Sequence, residues 1–111
     1  MGKPIGYNMT LFPKPIALND QNMLDVVRRI AKNSANIVWT QHSKQRMQER
    51  KITVSQVMKV LHRGFIKESV YQTASGDWKC TMSHVIASDE ISVALAVRWD
   101  ASSLIVIITV Y

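Results

Sequence analysis

Cysteine is almost missing from this chain: Cys80 is the only one in 111 residues, so no internal disulfide can form and a disulfide-stapled secreted scaffold is excluded. Proline and glycine are scarce, at three and four residues. All three prolines (Pro4, Pro13, Pro15) fall within the first 18 positions, so residues 1–18 read as an extended arm and the rest is free to form regular structure. The longest apolar run is five residues, as at Leu104 to Ile108, whereas a spanning helix needs about 20. The expectation is a soluble, cytoplasmic protein with no membrane contact. Acidic residues are also few, 8 against 14 basic ones, and the resulting charge of +6 favours polyanionic partners. No Walker loop, G-x-G-x-x-G, G-x-S-x-G or zinc-finger spacing occurs, which removes the usual support for nucleotide hydrolysis and acyl transfer.

What is present is enough apolar material for a core. Hydrophobic residues make up 47% and charged residues 20%, far from a disordered composition, and the length fits one domain, placed at residues 19–111. After an Asn19 or Asp20 cap, Met23, Leu24, Val26, Val27, Ile30 and Ala31 recur with helical spacing to about Ser34. Asn36 to Thr40 reads as a short apolar bridge, Gln41 to Arg50 as a polar helix, and Thr53 as the cap of a third helix closed by Gly64 in a left-handed conformation. Period-two segments follow at Phe65–Tyr71, Trp78–Ala87, Ile91–Trp99 and Leu104–Tyr111. The expected fold class is α+β, with N-terminal helices packed on one face of a four-stranded antiparallel sheet.

In Ile91 to Trp99, large residues alternate with Ser92, Ala94, Ala96 and Arg98. A strand face of small residues leaves a surface on which a helix or a substrate can rest, with the arginine at its rim. Thr109 and Tyr111 project to one side of the last strand.

The charge is concentrated. Residues 41 to 68 hold seven basic residues against Glu49 and Glu68, a net of +5. Within them His42, Arg46 and Arg50 are spaced four apart and share one helical face with Gln45 and Glu49. One reading is a solvated face with an internal Glu49–Arg pair. The other is chemical: metal-independent RNA cleavage needs a group that moves protons near neutral pH and cations that hold the phosphate, and a histidine one turn from two arginines supplies both.

The run Ile37-Val38-Trp39-Thr40-Gln41-His42, then Arg46-Met47, Glu49-Arg50, Ile52-Thr53, Val60-Leu61 with Gly64, and the closing Ile107-Ile108-Thr109-Val110-Tyr111, resembles a small bacterial family of unknown function. That family is grouped with the barnase, EndoU, colicin and RelE-like fold, alongside toxins such as RelE and BrnT. The resemblance covers about residues 36 to 111 and marks His42, Arg46, Glu49, Arg50, Gly64, Thr109 and Tyr111 as matching positions. It implies a RelE-like or barnase-like fold, metal-independent cleavage by attack of a ribose 2′-OH on the adjacent phosphate, and RNA and a cognate antitoxin as partners.

The candidate catalytic residues are therefore His42 as general base or acid, Arg46 and Arg98 for the transition state, and Tyr111 for placing the base or leaving group. Lys44, Arg50, Lys51, Lys79 and Trp78 are the candidate RNA-binding residues. No cofactor or metal is expected: Cys80, Met82 and His84 alternate along one strand, but a zinc site needs a third protein ligand that no spacing supplies. Two further readings compete. One is a non-catalytic basic module that binds nucleic acid or an acidic protein; in the other, the arm and first helix cover the basic site.

Overall fold

The computed structural model describes residues 17–99 and 103–111. Helix α1 spans Asp20–Ala31, and a single 3-10 turn at Ser34–Asn36 leads into a three-residue strand, β1, at Ile37–Trp39. Helices α2 (Gln41–Arg50) and α3 (Val54–Arg63) follow, then strands β2 (Phe65–Gln72), β3 (Trp78–Ile86), β4 (Asp89–Trp99) and β5 (Ser103–Val110). Residues 1–16 of the expected arm lie outside the described residues. Leu18, at its end, is buried in the core.

The local chemistry of each helix start is explicit. Asn19 caps α1 in a reciprocal box with Asn22, and Leu18 and Met23, at the staple positions on either side of the cap, both join the core. Thr40 caps α2 by accepting from the Ser43 N–H, and Thr53 caps α3 in a box with Gln56.

The sheet corrects the expected four antiparallel strands: among the described residues it has five, in the order β1-β5-β4-β3-β2, and β1 runs parallel to β5. The supposed bridge at Asn36 to Thr40 is this edge strand, with Ile37 and Trp39 opposite Ile105 and Ile107. Three residues are too few to show a period, and their partner lies near the far end of the chain. Gly64 is a second correction. Its φ of −77° and ψ of 178° are extended, not left-handed. Glycine is required there by space: a Cβ would meet the Val60 carbonyl oxygen at 2.5 Å and that of Ser83 at 2.6 Å.

Strand register separates two faces. Cys80, Met82, Ile91, Val93, Leu95, Val97, Ile105, Ile107 and Val110 are buried on one face, in a single cluster with the apolar stripes of α1 and α3. α1 packs against α3, β2 and β5, while α3 lies over β3 and β4 and α2 packs on β5. The opposite face has three cross-strand rows: Phe65-Ser83-Ser92-Tyr111, Glu68-Thr81-Ala94-Thr109, and Tyr71-Lys79-Ala96-Val106-Val38. None of these residues belongs to the core cluster.

A bulge sets the last part of this pattern. Leu95 pairs with Ile107 and Ala94 with Thr109, so Ile108 is the extra residue on β5. The skipped position shifts the alternation by one, keeps Val110 in the core, and sends Thr109 and Tyr111 to the second face.

Candidate nucleic-acid interface

Helix α2 is oriented by the residue that starts it. Besides capping the helix, the Thr40 hydroxyl donates to the Ile107 carbonyl at 2.8 Å, with the Ile108 carbonyl at 3.2 Å, fastening the helix start to the bulged part of β5. Ser43 and Met47, four apart, face inward and are buried. His42, Arg46 and Arg50 run along a neighbouring stripe, with His42 and Arg50 exposed and Arg46 half-buried. Glu49 lies within this stripe, where its carboxylate accepts from Arg46 Nη1 at 3.3 Å and from Gln45 Nε2 at 3.2 Å. Arg46 is thus occupied, whereas Lys44, Arg50 and Lys51 have no acidic partner within 4.0 Å among the described residues.

The helix closes with Ile52 N–H bonded to the Met47 carbonyl and Lys51 N–H to that of Gln48, the two bonds of a Schellman motif. Lys51 therefore sits in the left-handed region, at φ 57° and ψ 41°, where glycine is the usual residue. This turn meets the end of β5: Arg50, Lys51, Asp89, Glu90 and Tyr111 line an open groove of about 230 Å³. Lys44 lines a separate apolar groove with Trp39, Met47 and Val54.

The other candidates lie on the sheet. Lys79 and Arg98 are on adjacent strands and on the same face, Lys79 opposite Ala96 and Arg98 two residues further along β4, a diagonal neighbour at about 7–8 Å. Arg98 is held by Asp77 at 3.5 Å. Trp78 points the other way: it pairs with Val97 and is packed against the core. Tyr111 shares the face of Arg98 but pairs with Ser92, six residues along β4, about 20 Å from Arg98 at the usual strand rise. The four candidate catalytic residues do not converge on one phosphate.

The same face holds residues that sequence reasoning missed. Phe65 and Tyr71 stand 49% and 57% exposed, with Tyr111 42% exposed across the sheet, around a floor of buried Ser83, Ser92, Thr81 and Ala96. Phe65, Glu68 and Tyr71 share this face at intervals of three because β2 shifts register twice, so period-two reading cannot find them. Glu68, the one carboxylate in the three rows, accepts from the Thr81 hydroxyl.

Cys80 lies buried on the core face of β3. Burial pushes the Cys80 thiol up to about 12, leaving it protonated and non-nucleophilic at neutral pH. Among the described residues no three His, Cys, Asp or Glu side chains cluster to hold a metal ion, and no helix is long and apolar enough to cross a membrane.

Fold and surface together define a small basic α+β protein with one helix-covered sheet face and a second face of aromatics, cations and small residues. Its family follows from residues 39–111, which match the model of a domain of unknown function, DUF4258; the chain belongs to that family. No curated protein and no solved structure gives a significant match. The family match begins at Trp39, so α1 and most of β1 precede it.

Proposed function

We propose that this protein binds single-stranded RNA and acts on it as a RelE-like toxin, in the cytoplasm and under the control of an acidic antitoxin. The observation that carries the reading is the meeting of two surfaces at Tyr111. Arg50 at the end of α2 and Lys51 after it, without an acidic partner among the described residues, reach the end of a sheet face on which Phe65, Tyr71 and Lys79 stand exposed or half-exposed. Cations attract the phosphates and exposed rings stack on unpaired bases, a combination that suits a single strand better than a duplex.

The chemical step rests on His42, which accepts the 2′-hydroxyl proton as that oxygen attacks the adjacent phosphorus. The 5′-oxygen leaves, taking its proton from solvent water, the product ends in a 2′,3′-cyclic phosphate, and His42 afterwards returns its proton to solvent. Arg46 and Arg50, one and two turns along, oppose the charge that builds on the phosphorane. A second reading, binding without cleavage, is favoured by two specific features: Arg46 is engaged by Glu49, and Arg98 lies about 20 Å from Tyr111.

End-labelled RNA incubated with the purified protein in EDTA separates the two. Under the first reading cleavage produces cyclic-phosphate ends, and His42→Ala lowers the rate by about 10²-fold or more while RNA affinity is retained. Intact RNA with salt-dependent binding selects the second reading. Absence of both binding and cleavage rejects RNA as the partner.

A further inference from the structure

The helix-covered side of the sheet carries a cationic groove of its own. Lys59, His62 and Arg63 of α3 and His84 of β3 line an open groove of about 620 Å³, completed by Val85 and Ile86. No lining residue is acidic, and two of the chain's three histidines are here. His84 pairs with Ile91, so its half-buried imidazole is on the side of α3, away from Lys79.

A helix C-terminus ordinarily repels anions, because its last carbonyls carry partial negative charge. Here Arg28 of α1 offsets that charge: its Nε donates to the His62 carbonyl at 2.9 Å and its Nη2 to the Gly64 carbonyl at 2.7 Å. Lys59 and Arg63, four apart on α3, have no acidic partner within 4.0 Å among the described residues. Of the carboxylates that register brings nearest, Glu90, opposite Val85, is paired with Lys67, and Asp89, opposite Ile86, lines the groove of Arg50 and Lys51 and not this one.

We propose that this groove binds a phosphate monoester on a small organic body of nucleotide size. Lys59, Arg63 and the two imidazoles supply the donors for a doubly charged phosphate, and Ile86, on the same sheet side as His84, offers an apolar surface for the attached group. The volume falls in the range of small-molecule sites, about 300–1,000 Å³. The proposal does not rest on the RNA reading, since none of these side chains lies in the three rows of the second sheet face.

The test is titration of the full-length protein with adenosine 5′-monophosphate, followed by calorimetry and by amide and imidazole NMR, with adenosine as the phosphate-free control. The expected result is saturable one-to-one binding that shifts the His62 and His84 signals and is lost with adenosine. Arg63→Ala and His84→Gln weaken it about tenfold, whereas Lys32→Ala, which removes a cation elsewhere, leaves it unchanged. Lys59→Ala, at an exposed helical position outside the core, gives the same weakening with the fold intact. Non-saturating shifts, equal binding of adenosine, or affinity unchanged in Lys59→Ala and Arg63→Ala overturn the proposal.

Discussion

At Gly64 a single methyl group decides whether α3 can lie over β3. The two carbonyl oxygens that a Cβ would strike belong to the backbone of the helix and of the strand beneath it, and neither yields as a side-chain tip does. Gly64→Ala is expected to lower stability by about 3 kcal/mol, measured by urea unfolding. Lys51 is the converse case, a side chain kept where glycine fits the backbone better. Lys51→Gly is expected to raise stability by about 0.5–1 kcal/mol, read as an increase in melting temperature, and to weaken RNA binding by removing a cation from the groove beside Tyr111. A stabilised variant with unchanged affinity for RNA would place the binding surface elsewhere.

Among the elements, α1 stands before the family match yet is built into the fold. Met23, Val26, Val27, Ile30 and Ala31 are buried in the common core. Polar contacts hold both ends: the Asp20 carboxylate accepts from Val70 N–H at 2.8 Å and Ser69 Oγ at 3.0 Å, where β2 slips register, and Arg28 takes the carbonyls that end α3. Of the reading in which the arm and first helix cover the basic site, the described residues show one part: α1 packs on α3 and on the sheet, while residues 1–16 of the arm lie outside the described residues. Arg28→Ala leaves two carbonyls without their partner and is expected to cost about 2 kcal/mol in urea unfolding.

Between strands, Lys67 of β2 reaches past β3 to Glu90 of β4. The hydrogen bond and charge of Lys67 hold the Glu90 carboxyl below its ordinary range, and Glu90 raises the Lys67 ammonium in the same two ways. A depressed carboxylate adds stability above its unfolded pKa that is lost as pH falls through the folded value. A raised ammonium adds stability below its unfolded pKa that is lost as pH rises through the folded value. The pair thus supports the fold between about pH 4.3 and 10.4. Glu90→Gln should lower the melting temperature at pH 7 by a small, salt-sensitive amount, and the difference should shrink progressively as the pH falls below about 4.3.

For the whole molecule, charge and sheet geometry combine into one surface, and the measurement that reads it is salt dependence. Lys79→Ala and Lys44→Ala should each weaken RNA binding and reduce the slope of log K against log salt by about 0.7, the value for one phosphate contact on a single strand. Glu68→Gln should strengthen binding, since it removes the carboxylate from the middle row. Equal slopes in all three variants would show that the sheet face and α2 make no phosphate contacts.

Much of the architecture was legible because it is written in short-range chemistry. Asn19, one of the two caps offered for the first helix, and Thr53 cap the helices they precede, the 41–50 helix has the bounds its polarity suggests, and the period of two marks the four long strands. Position-by-position charge also showed where the cations lie. Tertiary structure decided what local pattern cannot carry: the parallel pairing of Ile37–Trp39 with β5, the extended glycine at 64, and the register shifts that align Phe65, Glu68 and Tyr71. It also separated Arg98 from Tyr111 while joining Arg50 and Lys51 to that tyrosine. The physical reason is one of range. Caps and amphipathic stripes act over three or four residues, whereas a bulge, an edge strand or a shared groove exists only once distant segments have paired.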